Sequence, residues 1–378
     1  MASGEIPALR TMLGSRYELR EEIGRGGCAV VFEALDHRLG RTVAVKVPLG
    51  FHGDMTKIAR FERESRVISA IHHPNVCAVL DNGTTSRGAP FLVMERLFGD
   101  SLRVVLARRD RLPVADVVSI SLQLLSAIDA VHAVGIIHRD IKPDNIVLVG
   151  RGGCDPIVKL LDFGLCRRSH QTANQEATMT ADGAIVGTPE YMAPEQVLGT
   201  KPDVRIDTYA VGVVMYEMLT GDRTFFAKTI REILNGVMNK RIRPIRDLRR
   251  DVPRALEAIV HKAMSRDPNQ RFQSAVEFQD ALCAVKHEMA AVARAAQVRA
   301  LERESSPPPL REREPEWDMP TARLKSPAQR VTRPPPAPEP ATRVRRETGP
   351  VQPPRREARV DTAPTGRMPP PLPPRHHH

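Results

Sequence analysis

The hydrophobic periodicity of the chain changes once, near residue 100, and this change limits the folds that it can adopt. Before that point, short β-branched runs such as YELREEI (17–23), AVVFEAL (29–35) and TVAVKV (42–47) alternate with Gly, Asp or Asn, which predicts strands. After it, apolar residues recur mainly at helical spacing, most clearly over 114–135. The sequence therefore predicts an α+β fold with a small β-rich lobe, about 17–95, and a larger α-rich lobe, about 96–286.

The remaining segments differ in composition from these two lobes. Residues 1–16 are expected to form an N-terminal extension, and the Ala-rich stretch 287–300 a helical extension of the second lobe. Residues 301–378 are rich in Pro and Arg and poor in apolar residues, which predicts a disordered tail. Its stretch RPPPAPEP (333–340) fits either a polyproline II ligand for a partner's aromatic groove or a flexible linker.

Charge and cysteine usage limit the partners and the compartment. The formal net charge of +11 suggests a nucleic-acid partner. Part of this charge lies in the tail, where only Trp317 is available for base stacking, so nucleic-acid binding is not predicted. No apolar run approaches the roughly 20 residues of a membrane span, and no signal peptide is recognised. Five scattered cysteines without metal-ligand spacing favour reduced thiols and a cytoplasmic location.

A glycine-rich stretch, GRGGCAVVFEAL (24–35), begins after the first predicted strand and continues into the second. Glycines this closely spaced allow backbone N–H groups to approach a phosphate, as in G-x-G-x-x-G loops. The third glycine position of that pattern holds Ala29. Taken alone, the stretch is either a nucleotide-binding loop or a β-turn between two strands.

A lysine and a glutamate form the next candidate pair. Strand alternation in TVAVKV places Val43, Val45 and Val47 on one face and Lys46 on the other. In the following helix, Glu64 falls on the inward stripe defined by Phe61, Val67, Ile68 and Ile71. A carboxylate on a buried face needs a cationic partner, and Lys46 is the candidate; a solvent-facing lysine on an edge strand is the alternative.

Ionisable groups are densest in HRDIKPDNIVL (138–148), where Pro143 excludes a regular helix. Further along, LLDFGL (160–165) places Asp162 after a short strand. The oxygen-bearing side chains of Asp140, Asn145 and Asp162 suit Mg²⁺, which combines a few protein oxygens with phosphate oxygens. A polar turn with a self-capping Asn is the alternative.

Taken in order, these motifs resemble the protein kinase family, in particular bacterial eukaryotic-like (Hanks-type) serine/threonine kinases. The resemblance covers about 17–284 and implies a bilobal fold. The glycine-rich loop, VAVK, HRDIKPDN and DFG carry it, together with GTPEYMAPE (187–195), DTYAVGVVMYEMLTG (207–221) and DPNQRF (267–272).

The resemblance implies ATP and Mg²⁺ as cofactors and assigns roles in phosphoryl transfer. Asp140 would accept or orient the proton of the substrate hydroxyl, and Lys142 would neutralise the transferring phosphoryl group. Asn145 and Asp162 would hold Mg²⁺. Lys46, fixed by Glu64, would hold the α- and β-phosphates.

It also implies how the rest of the nucleotide is bound. Ala29 adds only a methyl group to the loop, so the phosphate-binding role is expected to be retained; the loop residues are Gly24, Arg25, Gly26 and Gly27. The residues expected around the base are Ile23, Val31 and Ala44 above it, Leu148 below it, Met94 behind it as gatekeeper, and the backbone of Glu95 and Leu97 along its edge.

The same resemblance bears on substrates and regulation. Lys142 together with Thr188 favours protein substrates with Ser or Thr hydroxyls over Tyr. Arg139 before the catalytic aspartate suggests activation by autophosphorylation of Thr178 or Thr180, for which a homodimer is the expected arrangement; a plain solvated loop is the alternative. The alternative function is a pseudokinase scaffold that binds nucleotide and presents the tail to partners.

Two residues of the second lobe have structural roles in the family pattern. Asp207 would anchor the backbone of the catalytic loop, or would cap the helix that follows Arg205. Glu195 and Arg271 resemble a structural ion pair.

Overall fold

The computed structural model describes residues 10–51, 54–150, 155–162 and 188–305. The N-terminal lobe is built on a six-stranded antiparallel sheet in the order β1-β2-β3-β4-β6-β5. Its strands are β1 (Met12–Leu13), β2 (Tyr17–Arg25), β3 (Ala29–Asp36), β4 (Arg41–Pro48), β5 (Val79–Thr84) and β6 (Pro90–Glu95). The described end of the predicted N-terminal extension thus adds β1 to the edge of this sheet.

The alternation predicted for β4 is confirmed. Val43, Val45 and Val47 are buried in the apolar face of the sheet with residues of β2, β3 and β6. Lys46 lies on the opposite face, in register with Val31 of β3. This places its ammonium on the side of the sheet that carries the glycine-rich turn.

The helix of the N-terminal lobe is α1 (Met55–Ser69). Asp54 caps its N-terminus, because its carboxylate accepts the backbone N–H of Lys57 at 3.0 Å. Phe61 and Ile68 are buried as the pattern predicts, whereas Val67 is 39% exposed. The inclusion of Val67 in the inward stripe was wrong, because at 100° per residue it lies off the face that Phe61 and Ile68 share.

The C-terminal lobe is mainly helical. Its helices are α2 (Leu102–Arg109), α3 (Val114–Ala133), α4 (Pro194–Val197), α5 (Arg205–Thr220), α6 (Ile230–Asn239), α7 (Ile245–Leu248), α8 (Arg254–Ala263) and α9 (Ala275–Ser305). A three-stranded antiparallel sheet, β7 (Gly99–Ser101), β8 (Ile146–Val149) and β9 (Ile157–Leu160), lies beside them. The segment HRDIKPDN (138–145) directly precedes β8, and Asp162 follows β9.

Two helices form the centre of this lobe. Every residue of α5 from Ile206 to Leu219 is buried, as expected for a helix that neighbours surround on all sides. Within the described part of the chain, α3 alone is long and apolar enough to cross a membrane. Its residues Val117, Leu124 and Ile128 are buried in the hydrophobic core, which is the behaviour of a core helix.

The last helix, α9, includes the segment predicted as a helical extension. Phe278, Leu282 and Val285 pack in the core, and the side chains from residue 290 to 301 are exposed. The boundary predicted at 301 is too early, because α9 continues to Ser305; the rest of the predicted tail lies outside the described residues.

Candidate active site

A cavity of about 440 Å³ lies between the glycine-rich turn of the N-terminal lobe and the loops that flank β8 and β9. It brings together most of the residues predicted for phosphate binding and transfer. The residues that line it are Gly24, Arg25, Gly26, Gly27, Cys28, Ala29, Val31, Lys46, Asp140, Lys142, Asp144, Asn145, Leu161, Asp162 and Thr188.

The glycine-rich turn leaves its backbone open to this cavity. The N–H of Gly26 donates to the carbonyl of Ala29 at 2.9 Å, which closes the turn between β2 and β3. A Cβ added at Gly27 would contact nothing within 4 Å, and one at Gly26 would meet only the carbonyl oxygen of Ala29, at 3.9 Å. Packing within the chain therefore does not require these glycines, and the absence of side chains leaves room for close approach to the backbone.

Asp207 fixes the start of the loop predicted to be catalytic, 138–145. Its carboxylate accepts the backbone N–H groups of His138 and Arg139, each at 2.9 Å, and lies 2.8 Å from Nε2 of His132. Arg139 has a φ of 66°, a conformation that non-glycine residues seldom adopt and that these bonds stabilise. The anchoring role is confirmed; the capping role is wrong, because α5 begins at Arg205 and Asp207 lies within its first turn.

The loop then forms a network around Asp140. Oδ2 of Asp140 accepts from Nζ of Lys142 at 3.1 Å and from Nδ2 of Asn145 at 3.0 Å. Nδ2 of Asn145 also donates to the backbone carbonyl of Asp140 at 2.8 Å. Nζ of Lys142 reaches Oγ1 of Thr188 at 3.3 Å. The carboxylate is thus held in one orientation at the edge of the cavity.

Lys46 and Asp162 form an ion pair across the two lobes, between Nζ and Oδ1. Burial opposes ionisation of Asp162, but the Lys46 ammonium outweighs it and holds the pKa of that carboxyl below its ordinary value. Glu64 accepts Nε of Arg60 at 3.2 Å. The predicted link from Glu64 to Lys46 stays a prediction.

The residues predicted around the base fall into two groups. Ala44 and Met94 are buried and lie opposite each other in β4 and β6, and Ile23 is half-buried in the same lobe. Leu97 and Leu148 line a second cavity, of about 450 Å³, beside residues 96–98, which connect β6 to β7.

The register of β8 places its neighbouring residues on opposite faces of the small sheet. Ile146 and Leu148 share one face of the strand, opposite Leu160 and Val158 of β9. Val147 lies on the other face, opposite Lys159. Leu148, the residue predicted below the base, therefore lies on the face that it shares with Ile146.

A second network missed at the sequence level holds the segment after Thr188. The hydroxyl of Tyr191 donates to Oε2 of Glu217 at 2.6 Å, and Arg103 donates to Oε1 of the same carboxylate at 2.6 Å. Burial and the Glu217 carboxylate raise the pKa of Tyr191. These bonds fix Tyr191 to α5 beside the cavity. Their partners are too far apart in the chain for the sequence to reveal them.

Comparisons with known proteins agree with this geometry. Residues 17–285 match the family model described as protein kinase domain. The chain is 37% identical over 276 residues to the probable serine/threonine-protein kinase PknB of Bifidobacterium longum, covering 71% of this chain and 39% of that protein. It is 35% identical over 285 residues to the serine/threonine-protein kinase PknL of Mycobacterium bovis, with coverage of 75% and 69%.

Solved structures give the same fold. The kinase domain of Mycobacterium tuberculosis PknI is similar with a TM-score of 0.57 and 24% identity, covering 74% of this chain and 99% of that one. Rad53 (1–466) in complex with AMP-PNP is similar with a TM-score of 0.57 and 26% identity, covering 70% and 64%.

The chain belongs to the protein kinase family, in its branch of bacterial Hanks-type serine/threonine kinases. The predicted bilobal α+β fold is confirmed. The chain spans 39% of the length of the PknB relative and 50% of the Myxococcus xanthus kinase Pkn3, to which it is 37% identical over 276 residues. Members of this family use ATP and a divalent metal.

Proposed function

We propose that the chain is an ATP-dependent protein kinase that transfers the γ-phosphoryl group to Ser or Thr hydroxyls of protein substrates. The convergence of Lys46, Asp140, Lys142 and Asp162 on one cavity carries this proposal. A pseudokinase scaffold is less well supported, because such proteins typically lack the lysine or one of the two aspartates, and all three are present here.

Mg²⁺ is the metal that the donor set fits. Asp162 is ionised and offers carboxylate oxygen, and Asn145 uses its Nδ2 to hold Asp140, which leaves Oδ1 for a cation. Within the described ranges, no group of three or more His, Cys, Asp or Glu side chains could bind a metal. Two protein oxygens completed by phosphate oxygens and water match the preference of Mg²⁺ in nucleotide sites.

The chemistry follows from the positions of these charges. The Asp140 carboxylate accepts or orients the hydroxyl proton of the substrate, and its bonds to Lys142 and Asn145 fix its direction before substrate arrives. The ammonium of Lys142 places positive charge where the transferring group becomes negative, and Lys46 does so for the inner phosphates. The bond from Lys142 to Thr188 supports a Ser/Thr preference.

The proposal predicts transfer of label from γ-labelled ATP to a generic basic protein in the presence of Mg²⁺. Lys46→Met should reduce the rate by about 100-fold or more, since it removes a charge that stabilises the transition state. Scintillation counting of the substrate measures this, with EDTA as the metal control. Lack of transfer by wild-type protein that still binds ADP would favour the scaffold.

Activation by autophosphorylation is the second part of the proposal. Thr178 and Thr180 lie outside the described residues. Within the described chain, Nε of Arg139 is buried and has no hydrogen-bond partner, so its guanidinium is suited to bind an added phosphate. A homodimer would bring the threonines of one copy to the Asp140 of another.

We expect the double variant Thr178→Ala/Thr180→Ala to have at least about tenfold lower activity than phosphorylated wild type, because the pairing with Arg139 is lost. Mass spectrometry of wild type and of Lys46→Met maps the modified sites. The matched variant Thr172→Ala should retain wild-type activity. Active protein with neither Thr178 nor Thr180 occupied would contradict this part.

The last two parts of the proposal concern the cellular compartment of the kinase domain and the role of the C-terminal tail. The described cysteines Cys28, Cys77 and Cys283 are free thiols, which supports a reducing compartment and a cytoplasmic kinase domain. We assign the tail, 301–378, a role in binding a protein partner through its Pro-rich stretch.

A further inference from the structure

One lysine near the nucleotide site has no part in the catalytic network described above. Lys159, in β9, directs its ammonium toward the end of β6, where Nζ lies 2.7 Å from Oε1 of Glu95; Nζ also lies 3.4 Å from the carbonyl oxygen of Val76, which precedes β5. Its side chain is 17% exposed and that of Glu95 is 29% exposed. The pair is therefore partly shielded from solvent and worth more than a pair on the open surface.

Glu95 is held from three directions. Its Oε1 also accepts the backbone N–H of Ala78 at 2.8 Å, and its own N–H donates to the carbonyl of Ala78 at 3.0 Å. Its carbonyl oxygen has Sγ of Cys77 at 4.0 Å and retains a lone pair for a stronger donor. The backbone group that Glu95 can offer to a base is thus a hydrogen-bond acceptor of fixed direction.

The strand of Lys159 is itself firmly placed. The N–H of Cys77 donates to the carbonyl of Leu160 at 3.0 Å, and the N–H of Leu160 donates to the carbonyl of Asn75 at 2.8 Å. β9 ends at Leu160, two residues before Asp162. Lys159 is the side chain that ties Glu95 to the strand leading to Asp162.

We propose that Lys159 is a positioning residue for recognition of the base, and that it makes the site selective for 6-aminopurine nucleotides. It fixes the Glu95 carbonyl so that an exocyclic amino group finds a preoriented acceptor, whereas a 6-oxopurine presents an oxygen to that oxygen. This inference rests on the proposed function, since it takes the cavity to be a nucleotide site. Preorganisation of this kind contributes affinity by reducing the ordering cost of binding.

Removal of Lys159 is expected to affect binding of the base and not binding of the phosphates. The phosphates are expected at Lys46 and the glycine-rich turn, which Lys159 does not contact. We expect Lys159→Met to weaken ADP binding about fivefold, the equivalent of about 1 kcal/mol, while IDP binding changes less than twofold. In turnover, KM for ATP should rise with kcat within twofold.

Calorimetric titration of the full chain with ADP and with IDP tests this. Glu95→Gln removes the other member of the pair and should produce the same loss of selectivity, and Lys159→Arg should restore part of it. The matched control is Lys262→Met, since Lys262 forms a pair of the same 2.7 Å length with Glu277 on the exposed surface of α8 and α9. It should preserve the ratio of the two dissociation constants.

The outcomes separate the two proposals. Loss of selectivity in Lys159→Met and Glu95→Gln, with Lys262→Met unchanged, supports the positioning role. Equal weakening of ADP and IDP binding would show a merely structural lysine and overturn it, as would an unchanged ratio in both variants. Wild-type protein that binds neither nucleotide would overturn the proposed function and this inference with it.

Discussion

Asp140→Asn is expected to lower kcat by about 1,000-fold or more while ADP binding stays within a few-fold of wild type. The substitution removes the only property of the side chain that the reaction needs, a carboxylate able to accept or orient the hydroxyl proton, and such groups contribute about 10²- to 10⁴-fold. An amide of the same shape can still accept one of the bonds from Lys142 and Asn145, so the loop should keep its conformation.

Single-turnover transfer from labelled ATP, with calorimetric ADP binding alongside, measures both halves of this prediction. Asp251→Asn is the matched control, because Asp251 is an aspartate with a 65% exposed side chain whose partner is Arg249, outside the cavity. Its activity should stay within twofold of wild type. If Asp140→Asn retained more than a tenth of the activity, Asp140 would not act on the proton.

The parts of this site that the sequence predicted are those in which neighbouring residues determine one another's positions. Alternation in a strand determined the face of Lys46, and the close spacing of Asp140, Lys142 and Asn145 placed their side chains within one turn. The family resemblance added the order of the motifs. Local rules of this kind do not depend on how distant segments pack.

Partners from distant segments could not be predicted in this way. Arg60 lies within hydrogen-bond distance of Glu64 one helical turn earlier, so local spacing alone could not select Lys46 as the partner of Glu64, and that link stays a prediction. Lys159 and Glu95 are 64 positions apart, and their pairing follows only from how β9 packs against the end of β6.

Arg271→Ala should give the largest loss of stability of any single substitution considered for this chain. Arg271 is fully buried, and its guanidinium donates to both carboxylate oxygens of Glu195, at 2.6 and 2.8 Å, and to the carbonyl of Ser265 at 2.7 Å. Alanine would leave a carboxylate and several carbonyls without their donor. Removal of one member of a buried pair costs about 3–5 kcal/mol, which corresponds to a fall in Tm of about 6–15 °C.

Thermal unfolding followed by circular dichroism measures this effect, with Lys262→Ala as the comparison. The side chains of Lys262 and Glu277 are each 43% exposed, and a pair of that kind contributes less than about 1 kcal/mol. The contrast tests whether burial, rather than the presence of an ion pair, determines the loss of stability.

The loss of stability in Arg271→Lys should fall between those of the two alanine variants. An ammonium keeps the charge but cannot supply the several donors that Glu195 and the carbonyls receive from a guanidinium. Equal losses for Arg271→Ala and Lys262→Ala would mean that the C-terminal lobe relaxes around the vacated site.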